Sequence, residues 1–310
     1  MRSVVTAPSR SWPTAAVPPV AGTVTLWVAL VAALHVALAV PGLRESVWLD
    51  EAVTIQLCRL PLSLHASLAN DSTPPVYYLV VHAWGALFGC DDFALRLLSL
   101  AFSVVAIALL VAIGRRWLDL RAGLIAAGLF AVSHLQIRYA TEARCYALVE
   151  VLLLVSYACF LSFCDSRRRR TALALGLVNA TLVQTHYVAA LGLLPQLGAV
   201  VAFRLRDRVL CRRYVASQLL AVALCVPWAA YVLLNWPPII PLWLSPPDVG
   251  TLEYNFRLLL ATSVAPGWYA LGAVAALVAV ALVTPERLRG DTGERLALLA
   301  AWGIGVPVVA

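Results

Sequence analysis

The strongest constraint on this 310-residue chain is a series of apolar runs, many of them long enough to cross a lipid bilayer. About 20 residues at 1.5 Å per residue span a 30 Å hydrocarbon core, and residues 22–41 form the first such run. The others are residues 93–114, 122–139, 145–163, 171–185, 187–203, 214–234 and 266–284, and a last one begins near Leu296. The sequence therefore predicts an all-α polytopic membrane protein with at least eight to nine transmembrane helices.

Composition supports this fold class. Hydrophobic residues make up 62% of the chain and charged residues 13%, whereas soluble domains have about 25% charged residues. A soluble core of this size is thereby excluded. A cleaved signal peptide is the alternative for the first run, because Ala37–Ala39 reads A-L-A, but the apolar part of a signal is only about 7–15 residues long.

Residues 74–89 are apolar but short, and they carry the aromatic residues that favour a membrane–water interface: Tyr77, Tyr78, His82 and Trp84. We expect a helix that lies along the membrane surface. The arginines agree with this, because positively charged residues concentrate in cytoplasmic loops. If 74–89 does not cross and the N-terminus is inside, most of the 23 basic residues, all of them arginine, fall on the cytoplasmic side.

This topology gives a provisional domain plan. Residues 1–21 form a disordered cytoplasmic tail, and residues 22–234 form a transmembrane module with a first outer loop at 42–92. Residues 235–265 form another outer loop, and 266–310 carry further helices. The chain stops at Ala310 within an apolar run, so we expect it to be a truncated sequence.

Polar residues suited to chemistry gather at the predicted outer ends of the spans. The first loop contributes Asp50, Glu51 and Asp71, and the second span opens with Arg96. The later turns contribute Glu142, Arg144, Tyr146, His186 and Tyr187. Ionisable groups in a bilayer are costly unless they are paired or line a wet cavity, so their convergence on one side indicates a site.

Each candidate also has a purely structural explanation. Adjacent helical residues point about 100° apart, so we expect one of Asp50 and Glu51 to face the cavity and the other to brace the loop. Alternatively, both are helix N-terminal charges. Arg96 could be a snorkelling side chain. Glu142 and Tyr146 are four apart and predicted to share a helical face, although a Glu142–Arg144 pair could simply end a helix.

The remaining polar residues carry less information. His186 and Tyr187 could be interface anchors, and we interpret His35 and His134 as structural. The seven cysteines form no metal-binding pattern, and most are expected to pack as small apolar residues. Cys58 and Cys90 both fall in the predicted outer region, where a disulfide between them is open.

Several motifs, taken in order, resemble the glycosyltransferase C-type superfamily. They are W-L-D-E-A at 48–52, P-P-V-Y-Y-L-V-V-H-A-W-G-A-L-F-G at 74–89, F-A-L-R-L-L-S at 93–99, G-R-R at 114–116, Y-A-T-E-A-R-C-Y-A-L at 139–148 and T-H-Y at 185–187. Within it, they are most similar to the dolichyl-phosphate-mannose protein mannosyltransferase-like family and its bacterial relatives that use polyprenyl-phosphate sugars. The resemblance covers about residues 22–205.

The resemblance implies a first loop with two surface helices and a cavity on the outer side. It places the catalytic carboxylate at Asp50 with Glu51, and an important arginine at Arg96. It also implies that Glu142, Arg144 and Tyr146 lie at the cavity, and it makes Asp71, just before P-P-V-Y-Y, a second-tier candidate.

The chemistry of such a donor fits these residues. A phosphate leaving group needs no general acid, so one carboxylate can act as general base on the acceptor hydroxyl. We predict that Asp50 takes this proton in an inverting transfer, while Arg96 and Arg144 stabilise the departing phosphate. The sequence shows no dedicated ligand cluster for a divalent metal, which stays an open question.

Two other classes of protein compete with this interpretation. A transporter or lipid flippase would place its charges near mid-membrane, often within repeated halves, whereas these charges lie at the outer ends and no repeat is visible. A non-catalytic scaffold would not need acids and arginines on one side. A lysine-free, arginine-rich chain favours a bacterial plasma membrane. The acceptor could be a protein, a lipid or a polysaccharide, and no nucleic acid is expected.

Overall fold

The computed structural model describes residues 21–63, 73–205 and 207–235, and all its regular elements are helices. This confirms the predicted all-α class. The α-helices are α1 (Ala21–Ala39), α2 (Leu49–Arg59), α3 (Pro75–Phe88), α4 (Asp92–Trp117), α5 (Leu120–Val132), α6 (His134–Thr141), α7 (Tyr146–Ser166), α8 (Arg169–Val183), α9 (Leu194–Ala199) and α10 (Arg208–Asn235).

Four helices are long and apolar enough to cross a membrane, namely those that begin at residues 22, 92, 146 and 208. Helices α5 and α6 make a fifth candidate if the pair, bent by 66° after Val132, counts as one span. Two predicted spans have a different form: α8 has only 15 residues, and the run at 187–203 divides into a 3-10 segment, the short helix α9 and a π-helical turn. The predicted spans at 266–284 and from Leu296, most of the tail and most of the loop at 235–265 lie outside the described residues.

Helices α4 and α7 form the centre of the bundle. Helix α4 packs against α1, α5, α6 and α7, and α8 packs between α7 and α10. A close approach of α4 to α5 depends on two glycines, because a Cβ added to Gly114 would lie 2.3 Å from the Cα atom of Gly123. The outward faces of α1 and α10 carry exposed leucines and valines, as expected where a helix faces lipid.

The short helix α3 contacts α2 and α4. Its 14 residues are fewer than the roughly 20 needed to cross the hydrocarbon core. Tyr77, Tyr78 and Val81 are buried, while Leu87 and Phe88 are exposed. A helix of this length, with one face on the protein and an apolar end outside it, fits the predicted surface position.

The polar residues named below lie at the two opposite ends of the bundle. At one end, the Val76 N–H donates to the Gln184 carbonyl, which joins the start of α3 to the end of α8 (3.1 Å). At the other end, Trp117 Nε1 donates to Asp165 (3.2 Å). The first end holds the predicted site residues that the structure describes, and the second holds the arginine clusters around residues 115, 167 and 212.

Candidate active site

The first end of the bundle brings together four separate segments of the chain. The first turn of α2 carries Asp50 and Glu51, and α4 carries Arg96 one turn after its start. The turn between α6 and α7 carries Glu142 and Arg144. The segment after α8 adds His186 and Tyr187.

A buried ion pair between Glu51 and Arg96 lies at the centre of this end. Arg96 Nε donates to Glu51 Oε1 at 2.9 Å, and Arg96 Nη2 donates to Glu51 Oε2 at 2.7 Å. The two side chains are only 2% and 1% exposed. Two parallel hydrogen bonds of this kind are the strong, geometrically specific form of an Arg–carboxylate contact.

The remaining donors of Arg96 bind the backbone of the first loop. Nη1 donates to the Glu45 carbonyl at 2.7 Å and to the Leu43 carbonyl at 3.3 Å, and Nη2 donates to the Ser46 carbonyl at 3.4 Å. The sequence predicts that Arg96 stabilises a phosphate or snorkels. In the structure, protein groups enclose the guanidinium and bind its Nε, Nη1 and Nη2 atoms.

Glu51 also joins two further segments. Its Oε1 accepts the Ala143 N–H at 2.9 Å, and its Oε2 accepts the Trp48 N–H at 3.4 Å, so the side chain caps α2 as well. Burial opposes ionisation of Glu51, but the hydrogen bonds from Arg96 and Ala143 outweigh it and lower the pKa of the carboxyl. Glu51 is therefore a fixed negative charge that holds the loop against the bundle.

Asp50 has the opposite character. Its side chain is 43% exposed, and its Oδ2 lies 3.9 Å from Nη2 of Arg144, whose side chain is only 8% exposed. The guanidinium of Arg144 also lies 3.5 Å from the Thr73 hydroxyl and 3.5 Å from the Asp50 carbonyl. A 3.9 Å separation is longer than a hydrogen bond, so the contact between these two charges is loose.

Glu142 pairs with Arg138, since Arg138 Nε donates to Glu142 Oε1 at 2.6 Å. The alternative of a Glu142–Arg144 ion pair is wrong, because the Arg144 side chain turns towards Asp50. The predicted shared helical face of Glu142 and Tyr146 is also wrong, since α6 ends at Thr141 and α7 begins at Tyr146. Burial outweighs the Arg138 contact and raises the pKa of Glu142.

Aromatic residues also lie at this end of the bundle. The ring of Tyr146 stacks on Tyr139 with centroids 4.7 Å apart, and it lies 6.1 Å from the ring of His186. Tyr187 accepts a hydrogen bond from Trp228 Nε1 at 2.8 Å. The sequence analysis did not identify three residues of this end: Thr73, Tyr139 and Trp228. Their contacts with the site residues form only when the bundle folds.

A disulfide links Cys58 at the end of α2 to Cys90 just before α4. The sequence left a disulfide between Cys58 and Cys90 open, and the structure contains it. Gly85 on α3 lies directly against the bridge, because an added Cβ would be 2.4 Å and 2.5 Å from the two sulfurs. The disulfide fixes the far end of the helix whose first turn carries Asp50.

Two candidates stay untested by this geometry. Asp71 lies outside the described residues. A divalent metal also stays open: within the described ranges, no group of three or more His, Cys, Asp or Glu side chains is arranged to hold one. Glu51 and Glu142 are each hydrogen-bonded to an arginine, and the proposed reaction assigns no step to a metal.

The fold and this end of the bundle define a multi-pass membrane protein with a charged, aromatic-lined site. The chain belongs to the dolichyl-phosphate-mannose-protein mannosyltransferase family, whose model matches residues 72–231, just over half of the chain. It is therefore a membrane glycosyltransferase of a family that uses a lipid-linked sugar donor. The matched range includes Arg96, Glu142 and Arg144 but begins after α2. No curated protein and no solved structure matches the chain at a significant level.

Proposed function

We propose that this protein transfers a sugar from a polyprenyl-phosphate donor to an acceptor hydroxyl on the outer face of the membrane, with inversion at the anomeric carbon. The sugar is mannose or another hexose or pentose, and the acceptor is a protein, a lipid or a polysaccharide. The single observation that carries the proposal is the pairing of an accessible carboxylate, Asp50, with a nearly buried arginine, Arg144.

Asp50 is the base because the other described carboxylates of the site are already engaged. Glu51 is held by Arg96 and by two backbone N–H groups, and Glu142 is held by Arg138. A general base must reach the proton that it takes within hydrogen-bonding distance, directly or through one water. Of these three acids, Asp50 combines access to the outside with a position in the charged centre.

The sugar is transferred in a single displacement at the anomeric carbon. The acceptor O–H gives its proton to Asp50, and its oxygen forms the new bond to the anomeric carbon from the face opposite the phosphate. The bond between this carbon and the phosphate oxygen breaks, and its electron pair stays on the phosphate. A positioned base of this kind typically accelerates transfer by about 10²–10⁴-fold.

Arg144 is the group that would stabilise the growing phosphate charge. Its guanidinium is nearly buried beside Asp50 and Thr73, and a preorganised cation of this kind can stabilise charge that develops in the transition state. Arg96 becomes a positioning residue, because it acts through Glu51 and the loop backbone. Tyr146, His186 and Tyr187 supply the aromatic wall, on which we place the sugar or the first isoprene unit.

Two features support an outer location for the site. The Cys58–Cys90 disulfide belongs to this end, and disulfides persist in oxidising compartments such as the bacterial periplasm or cell surface. The opposite end carries the arginine clusters, as expected for cytoplasmic loops. These features support the proposal of a bacterial plasma-membrane protein with its N-terminus inside.

The test uses membranes enriched in wild type, Asp50→Asn and the control Glu45→Gln. Glu45 is an exposed carboxylate of the same loop, so its replacement changes the charge equally without touching the proposed base. Each sample receives radiolabelled polyprenyl-phosphate mannose, glucose or arabinose, and label is followed into protein, lipid and polysaccharide fractions. We expect transfer with wild type and Glu45→Gln and a loss of at least 100-fold with Asp50→Asn. Full transfer by folded Asp50→Asn would refute the assignment of the base.

A further inference from the structure

We propose that the arginine-rich end of the bundle contains a binding site for one anionic phospholipid, in the cleft between α8 and α10. This cleft has a volume of about 480 Å³ and is lined by Arg169, Arg212 and Arg213 together with apolar side chains. It lies at the end opposite Asp50, so the inference does not depend on the proposed reaction. Its volume is within the usual range of about 300–1,000 Å³ for ligand sites.

The cleft carries three arginine charges. In the described part of the chain, no ion pair joins Arg169, Arg212 or Arg213 to a carboxylate. Asp207 lies five residues before Arg212, and it accepts from Arg167 at 2.5 Å and from the Leu210 N–H at 3.0 Å. Asp165 lies four residues before Arg169, and it accepts from Trp117 Nε1 at 3.2 Å. The Leu210 bond and the Arg167 pair lower the pKa of Asp207, which fixes its charge on these partners.

The order of residues along both helices matches a lipid with its head outwards. On α8, Leu173 follows Arg169 by four positions, so the two share a helical face with the leucine deeper in the bundle. On α10, Leu220 follows Arg213 by seven positions and again lies deeper on the same face. A phospholipid with its phosphate at the arginines would therefore place its acyl chains along these leucines. A soluble anion has no acyl chains and could not make these apolar contacts.

The two helices that form the cleft approach each other closely beside it. A Cβ added to Gly176 would lie 2.6 Å from the Ser217 carbonyl, so the backbones of α8 and α10 are close at this level. Ser217 and Leu220 line the cleft at the level of this contact, and the three arginines line it nearer the starts of the two helices. Basic pockets between transmembrane helices at the cytoplasmic side are known to suit anionic head groups, and the positive-inside rule assigns this end to that leaflet.

The experiment measures retained phosphatidylglycerol on the full chain by native mass spectrometry after purification with this lipid. The test variant is Arg169→Gln/Arg212→Gln. The matched control is Arg115→Gln/Arg116→Gln, which removes the same charge at the same end but outside the cleft. A third variant, Ala216→Phe, fills the cleft without changing its charge.

We expect wild type and the control to retain one phosphatidylglycerol. At roughly fivefold per arginine, affinity should fall about 25-fold in the test variant, and Ala216→Phe should also lose the lipid. Equal loss in the test variant and the control would overturn the proposal in favour of general surface charge. Inorganic phosphate that competes with the lipid at comparable concentration would overturn it in favour of a soluble anion. Thermal melts of all variants verify that each protein is folded.

Discussion

Glu51 and Arg96 are 45 residues apart in the chain, yet their side chains form a two-fold hydrogen-bonded ion pair that is almost completely enclosed. The pair connects the first turn of α2, which carries Asp50, to the longest central helix of the bundle. The position of the proposed base therefore depends on a neighbouring residue that does not itself face outwards. In the proposed reaction, Asp50 would act on the substrate, whereas Glu51 and Arg96 would hold the loop that carries it in place.

Replacing Glu51 by Gln should strongly destabilise the protein. Loss of one partner leaves the Arg96 charge buried without compensation, which typically costs about 3–5 kcal/mol of unfolding free energy. The control is Glu142→Gln, because burial already favours the neutral form of that side chain and raises its pKa. Thermal melts in detergent should show a much larger fall in Tm for Glu51→Gln. Similar falls for the two variants would contradict the role given to the Glu51–Arg96 pair.

The same pair should make stability depend on pH in the acid range. The folded-state pKa of Glu51 is lower than its unfolded value of about 4.3. Its contribution is therefore fully present above that unfolded value and is lost as the pH falls through the folded-state pKa. The Tm difference between wild type and Glu51→Gln should be constant from pH 7 to about 5 and should shrink below pH 4. A difference that stays constant to pH 3 would show that the charge of Glu51 is not the stabilising element.

Replacing Arg144 by Gln should lower kcat by about 10²–10³-fold, the usual effect of losing one preorganised transition-state donor. Arg138→Gln is the matched control, because Arg138 bonds to Glu142 and its side chain is 58% exposed. Initial rates with a saturating lipid-linked donor measure the effect. If only KM rose while kcat was unchanged, Arg144 would bind the donor without stabilising the departing phosphate.

Removing the disulfide with Cys58→Ser/Cys90→Ser should destabilise the first loop. The bridge closes a loop with a sequence separation of 32, for which chain entropy predicts a contribution of roughly 3–4 kcal/mol. Limited proteolysis of the loop and Tm measure the loss, and a reductant should produce the same change in wild type. Cys145→Ser replaces a buried cysteine outside the bridge and serves as the control. A wild type that is insensitive to reductant while folded would argue against a role for the bridge.

The sequence predicts what depends on local pattern. Apolar length predicted the central spans and the short helix at residues 74–89, because both follow from the number of residues needed to cross a bilayer. The motif order predicted the family, and charge placement predicted one end rich in acids and another rich in arginines. Apolar length can be read within a window of about 20 residues, and the other two properties follow from the order of motifs and charges along the chain.

What the sequence could not predict depends mostly on contacts between distant segments. The Glu142 prediction failed for a local reason: the helix breaks between Thr141 and Tyr146, and the ion-pair partner is Arg138, four residues before Glu142. A polar network inside the bundle does depend on distant segments, and the sequence did not predict it. It links Ser156 to Asn179 at 2.6 Å and to Gln196 at 2.7 Å, across three helices. Neutral polar side chains scattered in apolar runs give no periodic signal, although they help membrane helices to choose their partners.

The bonds of Glu51 also set an order of events during synthesis. Its carboxylate meets Arg96 only after 45 more residues have been inserted and meets the Ala143 N–H only after 92. Contacts at such sequence separations form late, because a long loop must close before they give any benefit. The acidic loop therefore cannot take its final position until α4 and the turn before α7 have been inserted. A nascent chain interrupted before Ala143 would have every residue of the proposed base and its loop, but no assembled site.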